Sequence, residues 1–554
     1  EILGHWWTDL NTPELFAIEI SLSRQTDGSY GATIHGNNRS EKNIEVHTDG
    51  QALHIDPKTF PIDFHGEHTG NDIEGFVRYG QTAAHTVFDR SGDSTWTTMW
   101  NPLGVETGIS PIDVYIVDED GNRAAYLFFR DQRMPSLWTY GLRCEDGLIR
   151  FQEKNLQLVF EGRFDREDDT LNLDTRALGQ SSATVWNRVT DDPEVGTPAR
   201  NAEHTLYRET APEQIGDGWT TASPSDGLDA DLISQLVESV VAGELPRTHS
   251  LLVARHGKLL VEEYFYGFDR NTWHDMRSAS KTVAAALVGV AIDRGMIESV
   301  DVPALEFYPD YRPVANQDER KNQITIQHLL TMSSGLNAND SDRNSVASEN
   351  NYQSQTEQPD WIRIALDAPM INEPGAVSLY GSANAMLIGG VLEHATGVST
   401  ELFAQRYLFG PMGVHEYKFF LDPIGRAYLG GGMYMRPRDM AKFGQMHLDD
   451  GVWNGQRILS ESWARESMQE HNELANRKDI GYGYLWWRRT YQVGDRQIES
   501  IEARGNGGQF IFVVPSLDLV AVITSGNYRH REYLQQPEGI MERFILPAAV
   551  AAGI

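Results

Sequence analysis

The stretch Met276-Arg277-Ser278-Ala279-Ser280-Lys281-Thr282-Val283-Ala284-Ala285-Ala286-Leu287-Val288-Gly289-Val290-Ala291-Ile292 decides how this chain is read. It is Ala- and Leu-rich with almost no polar face, which predicts a buried helix, and Gly295 just after Arg294 reads as its C-terminal stop. At its head stands Ser278-x-x-Lys281. Residues three apart share one side of a helix, so the hydroxyl and the amine are within reach of each other. A lysine inside an apolar element is costly to keep charged, so its pKa is expected to fall and it can serve as a base. The serine near the helix N-terminus meets the positive end of the dipole, which favours an oxyanion forming there. These are the parts of an activated nucleophile. A Ser-x-x-Lys alone is a weak pattern, and most such pairs sit on solvated helices. Position raises its weight here. The chain has only 9 lysines against 38 arginines, and this one stands beside a serine at the mouth of an apolar helix.

A chain of 554 residues is too long for one core and points to at least two domains. The net charge of −32 argues against nucleic acid or an anionic membrane as partner, since both call for a basic surface. Acidic excess with few lysines fits a salt-tolerant bacterium. The single Cys144 excludes an intrachain disulfide. No apolar run reaches membrane-spanning length. The chain begins at Glu1 without Met; a leader removed before it would place the protein in the periplasm or outside the cell, and otherwise it would be cytoplasmic.

Residues 1–200 read as an all-β domain. Leu15-Phe16-Ala17-Ile18-Glu19-Ile20-Ser21-Leu22 alternates as a strand does, with the turn Asp27-Gly28 after it. An internal repeat is visible. Asp63-Phe64-His65-Gly66 leads to Val87-Phe88-Asp89-Arg90, and Val159-Phe160-Glu161-Gly162 leads to Val185-Trp186-Asn187-Arg188 at nearly the same spacing. The second copy follows the strand Ile112 to Val117 and the turn Asp120-Gly121. Two similar β units would close most simply into one barrel or sandwich. His65 and His68 are candidate metal ligands, but no further His, Cys or carboxylate pattern supports them, and no metal or other cofactor is expected. Trp6, Trp7, Trp96, Trp100 and Trp138 could form a sugar platform, although core packing is the commoner use of tryptophan.

Asp191 to Ser225, rich in Asp, Glu, Pro, Gly and Thr, reads as a linker into a second domain, residues 201–554. An amphipathic helix from Asp229 to about Ala242 comes first, then a hairpin of Ser250 to Ala254 with Leu259 to Tyr264. The Ser-x-x-Lys helix follows, then Ile326 to Leu336, then Tyr380-Gly381-Ser382-Ala383-Asn384 opening a helix to about Glu393. Gly505-Asn506-Gly507-Gly508-Gln509 precedes the hairpin Phe510 to Val514 with Leu519 to Ile523, and a helix from about Gly539 to Ala549 closes the chain. Strands at both ends with helices between imply an α+β domain with one sheet built from both ends.

Ser278-x-x-Lys281, Leu329-Leu330-Thr331-Met332-Ser333-Ser334-Gly335-Leu336, Tyr380 and Asn506-Gly507-Gly508 stand in an order that resembles the class C β-lactamase and penicillin-binding-protein-like serine hydrolases. That family includes esterases, D-amino-acid peptidases and 6-aminohexanoate-dimer hydrolases. The resemblance covers about residues 205–554 and implies a β-lactamase-like catalytic domain, an antiparallel sheet with packed helices plus an all-helical part. It implies Ser278 as acylated nucleophile, Lys281 as base, Tyr380 as proton carrier, and Asn506-Gly507-Gly508 at the Lys-Thr-Gly position on the strand edge. The N–H groups of Ser278 and Gln509 would form the oxyanion hole.

Two departures bear on substrate. Ser382 stands where the family's second motif commonly has Asn; its hydroxyl can still bond to Lys281 or a substrate amide, with shorter reach. Neutral Asn506 replaces the lysine that helps penicillin-recognising members hold a carboxylate. Small esters are therefore the expected substrates, with amides, D-amino-acid derivatives or β-lactams the alternative, and an inactive binding protein the alternative of another class. Oligomeric state stays open.

Overall fold

The computed structural model describes the chain except residues 1, 12–14, 37–38, 70–71, 101–108, 120–121, 130–133, 136–138, 154–156, 190–198, 200–208, 356, 476–479, 529–532 and 554. The turn Asp120-Gly121, Trp138 and most of the first half of the Asp191–Ser225 stretch thus lie outside the described residues. The chain divides into two compact units, Glu1–Thr197 with His415–Leu421, and Pro198–Val414 with Asp422–Ile554.

The amino-terminal unit is all strand. Ile18–Arg24 buries every second residue, as alternation requires. From there to Thr82–Gly92 successive strands pair antiparallel, and Thr95–Trp100 pairs with both Ile18–Arg24 and Thr82–Gly92, so the sheet closes on itself as a barrel. A second, nine-stranded sheet has Gly4–Asn11 between Ile109–Glu119 and Gln180–Arg188. The repeat therefore does not fold into one barrel. Each copy sits in its own sheet, because Thr95–Trp100 already closes the first. Both copies are three-strand meanders with an equivalent aromatic pair: Phe64 meets Phe88 edge-on at 5.2 Å, and Phe160 meets Trp186 at 5.7 Å. Trp6, Trp96 and Trp100 are buried and Trp7 is half-buried, so they serve the core rather than an exposed platform.

Tyr417–Phe420 belongs to this unit. It pairs antiparallel with Thr82–Gly92, Lys418 opposite Ala84. Nothing local in the sequence announces a pairing across so long a separation.

The other unit is α+β. Its nine-stranded sheet runs Thr220–Thr221, Lys258–Tyr264, Thr248–Arg255, Leu519–Ser525, Gln509–Val514, Arg496–Gly505, Trp487–Val493, Gly481–Tyr482, Asn472–Glu473. The early hairpin joins the late strands where Thr248–Arg255 meets Leu519–Ser525. Central strands are apolar on both faces, since both faces are covered. Leu251, Val253, Phe510 and Phe512 share a core with the helix Ala230–Val241 and the closing helical segments. Asp229 caps the first of these by accepting from the Leu232 N–H at 3.1 Å. Ile511 and Val520 face the helix Pro437–Leu448, where a Cβ on Gly444 would stand 2.8 Å from each.

Candidate active site

The Ser-x-x-Lys stretch forms a 3-10 turn, Arg277–Ser280, that runs into the buried helix Lys281–Asp293. Its entry is held by Met276 N–H donating to Met433 O at 2.9 Å. Arg277 adopts φ of 50°, a strained conformation for a residue with a side chain, immediately before Ser278. Asp275 secures it, accepting from the Arg277 N–H at 2.8 Å and pairing with its guanidinium at 2.8 Å.

Lys281 is 1% exposed and donates to Ser278 Oγ at 2.9 Å. It also donates to Gly430 O, and the Tyr380 phenol is a further hydrogen-bond partner, with its ring centre 5.0 Å from Nζ. Three acceptors match the three hydrogens of an ammonium. The expected fall in the lysine pKa is thereby corrected. Burial does push it down, but Tyr380, Glu349 and Asp340 outweigh burial and hold Lys281 above the ordinary lysine value. Lys281 rests charged.

The two carboxylates escaped the sequence reading. Asp340 accepts from the Ser382 N–H at 2.8 Å, from its hydroxyl at 2.7 Å, and from the Glu349 N–H at 2.8 Å. Burial first, then the charge of Glu349, push Asp340 up to about 6 against the pull of Lys281. Glu349 accepts from Tyr428 Oη at 2.6 Å, and Tyr428 meets Tyr352 Oη at 2.6 Å. The Ser382 side chain is fully buried, and its hydroxyl donates to Asp340, a partner that no local pattern points to. The only local hint was the Asp- and Asn-rich run Asn337-Ala338-Asn339-Asp340-Ser341-Asp342, which gives no sign of what it folds against. Tyr380 precedes the helix Ser382–Thr396 and lies against Trp487 at 5.4 Å. Gly381 lets the chain pass here, for a Cβ would stand 1.8 Å from Ala338 O.

Asn506, Gly507 and Gly508 form the tight turn between Arg496–Gly505 and Gln509–Val514, within the hairpin rather than along an open strand edge. Gly507 and Gly508 have φ of 85° and 95°, which suits glycine. The turn comes in close beside the nucleophile's turn: a Cβ on Gly505 would stand 2.2 Å from Met276 O. Asn506 is exposed. Gln509 is buried, and its side-chain amide donates to Ser525 O at 2.6 Å and accepts from the Ser525 N–H at 3.3 Å, which leaves only its backbone for any substrate. Gly431 faces Ser278, where a Cβ would stand 3.5 Å from the Ser278 nitrogen.

A sheet built from both ends of an α+β unit, with a serine and a buried lysine joined at the head of a helix, defines a hydrolase of the β-lactamase-like class. The Beta-lactamase family model matches residues 233–542, more than half of the chain, and the chain belongs to that family. It is 26% identical over 332 residues to the 6-aminohexanoate-dimer hydrolase of Paenarthrobacter ureafaciens, covering 56% of this chain and 81% of that one. It is 31% identical over 161 residues to the monacolin J acid methylbutanoyltransferase of Aspergillus terreus, which is 26% of this chain and 38% of that enzyme. Among solved structures, a penicillin-binding protein from Bacillus halodurans is 18% identical, with a TM-score of 0.40 over 53% of this chain and 96% of that one. No described helix is long and apolar enough to cross a membrane.

Proposed function

We propose that this protein hydrolyses small neutral carboxylic esters through an acyl-enzyme on Ser278. The observation that carries the reading is the contact of 2.9 Å between Lys281 Nζ and Ser278 Oγ, with Tyr380 on the same ammonium. Ser278 Oγ attacks the ester carbonyl. Tyr380 relays its proton: the phenol oxygen takes the serine proton as the phenol's own hydrogen goes to the departing alkoxide, so Tyr380 ends the step as it began, while Lys281 keeps its charge. The Lys281 ammonium steadies the negative charge that passes between these oxygens. The Ser278 and Gln509 N–H groups receive the carbonyl oxygen, and the missing Cβ of Gly431 leaves room in front of the first. Water then attacks the acyl carbonyl, releasing the acid and restoring Ser278.

The preference for neutral substrates rests on the described cations near the site, each of which is paired. Arg277 is paired with Asp275 at 2.8 Å, and Arg504 donates to Glu502 at 2.6 Å. Neutral Asn506 supplies no replacement. An amide would enter the same acyl-enzyme route, and the similarity to a 6-aminohexanoate-dimer hydrolase keeps amides as the comparison substrate.

The test is a fluorophosphonate label read by peptide mass spectrometry, together with kcat/KM for p-nitrophenyl butyrate, nitrocefin and a D-aminoacyl amide. One adduct on the Ser278 peptide is expected, absent in Ser278→Ala, whose turnover should fall by roughly 10⁴-fold or more. The ester should exceed nitrocefin. Ordinary turnover by Ser278→Ala, or nitrocefin as the better substrate, would overturn the reading.

A further inference from the structure

We propose that Glu74, His85 and His415 form a binding site for one divalent transition-metal ion, zinc being the best match, on the outer wall of the amino-terminal barrel. No local pattern marks it, since His415 lies 330 residues from His85. The expectation of no metal rested on local spacing around His65 and His68, which this group does not involve.

Pairing of Asp72–Tyr79 with Thr82–Gly92 sets Phe76 opposite His85 and Glu74 opposite Val87. Glu74 and His85 are thus diagonal neighbours on one face. Residues His415–Leu421 lie on that face within the same unit. One ligand atom from each of the three residues lies within 4.8 Å of the others. His85 Nε2 is 3.3 Å from Glu74 Oε2, and His415 Nδ1 is 3.7 Å from the same oxygen. A tetrahedral zinc with bonds of about 2.0–2.2 Å keeps its ligands roughly 3.3–3.5 Å apart, so these two spacings are already close to those of a loaded set.

The tautomer of His85 supplies the independent argument. Its Nδ1 lies 2.7 Å from His415 O. A carbonyl only accepts, so Nδ1 carries the hydrogen and Nε2 presents a lone pair to Glu74 and His415. That nitrogen is buried, makes no hydrogen bond, and belongs to a side chain that is 0% exposed. An unmatched buried acceptor is costly, and a cation answers it. Backing of the far ring nitrogen by a carbonyl is how metal-binding histidines are oriented. The ring is also fixed, stacked on Tyr417 at 5.3 Å and met edge-on by Phe76 at 5.3 Å. Glu74 and His415 are 35% and 45% exposed, which leaves water access to a fourth position. His/His/Glu donors suit zinc, nickel, cobalt or copper and disfavour magnesium and calcium. With two ligands on the barrel and one on the returning segment, the ion would fasten residues 415–421 to the wall they lie on. The rival state is a protonated His85 paired with Glu74, which takes no metal.

The experiment uses the untagged full chain, stripped with a chelator and dialysed, then titrated with zinc chloride by calorimetry and followed by thermal unfolding. One tight site per chain is expected, with a rise in unfolding temperature on loading. His415→Ala, at an exposed side chain, and Glu74→Gln should each weaken binding by about 10–100-fold or more and remove the rise, while ester hydrolysis by the folded protein is kept. Cobalt should give the visible absorption of a tetrahedral site in the wild type and lose it in both variants. Equal zinc binding by wild type and His415→Ala, as scattered surface histidines would give, overturns the proposal. So does the absence of micromolar binding in the wild type.

Discussion

Two of the buried charge clusters in the Pro198–Ile554 part of the chain are balanced differently. In one, Arg436, Arg438 and Lys442 face Asp217, Glu262 and Asp439. Arg438 reaches Asp217 at 2.7 Å and Glu262 at 2.6 Å, Lys442 reaches Asp439 at 2.7 Å, and Arg436 reaches Asp439 at 3.0 Å. Burial would raise Asp217, but Arg438 and Lys442 hold it below the usual carboxylate range. In the other, Lys281 is the one cation among the described residues that faces Asp340 and Glu349, and Asp340 is pushed up to about 6. Matched charges in fixed bonds give a scaffold. An excess of one sign beside a hydroxyl gives groups whose protons can move near neutral pH. The same residue types thus serve structure or chemistry according to whether each charge has its own partner.

The strongest way to break this contrast is in the unbalanced cluster. Lys281→Ala and Tyr380→Phe should each lower kcat by roughly 10²-fold or more, and the double variant should lose much less than the product, because the two act as one unit. Strictly multiplicative losses would show independent roles. In the balanced cluster the outcome should be reversed. Arg438→Met removes the nearest cation from both Asp217 and Glu262 and should cost about 3–5 kcal/mol of stability by denaturant unfolding, with kcat/KM per folded molecule unchanged. A large loss of kcat/KM there would erase the distinction.

A smaller effect sharpens it. The pH profile of kcat/KM should carry an acid limb near pH 6, because protonation of Asp340 removes one of the charges that hold the Lys281 ammonium. Asp340→Asn should lose that limb and lower the rate above pH 7 by roughly tenfold, the scale of one pKa unit of charge interaction. An unaltered limb would assign it to another group.

The smallest effect is on stability alone. Burial and Glu401 push Glu393 up to about 7 from an ordinary 4.5. The folded state then binds the proton more tightly, so stability falls as pH rises through that window, by at most about 3 kcal/mol. Glu393→Gln should flatten that part of the slope and unfold at a higher temperature than the wild type at pH 8. A wild-type slope of the opposite sign in the variant pair would refute the assignment.

What the sequence made legible was whatever neighbours in the chain decide. The apolar run after Ser278 could only be a buried helix, and three-residue spacing brought Lys281 to Ser278. Paired apolar runs with turns between them gave the hairpins of the central sheet. The repeat announced matching meanders through Phe64 with Phe88 and Phe160 with Trp186. What stayed hidden depends on partners distant in the chain. Lys281 was expected to lose its charge because burial was the only influence visible, while Asp340 and Glu349 reach it across loops. The place of Ser382 after Tyr380 suggests Lys281 or a substrate amide as its partner, while the acceptor it meets, Asp340, lies 42 residues earlier. Nothing near Tyr417–Phe420 in the chain marks it as a strand of the amino-terminal unit, since its pairing partner lies in the first hundred residues.

That last strand sets a clock. After His85 leaves the ribosome, 330 more residues must be added before His415 exists. At about 5–20 residues per second this is roughly 15–65 seconds. During that interval the nascent barrel presents an uncovered wall around Phe76 and an unpaired edge at the start of Thr82–Gly92, the kind of edge that recruits strands from other chains. The messenger's reading speed, and whatever shields that edge in the meantime, therefore decide how many chains reach the finished fold, and a message cut short after residue 200 would release a barrel that can never complete its own wall.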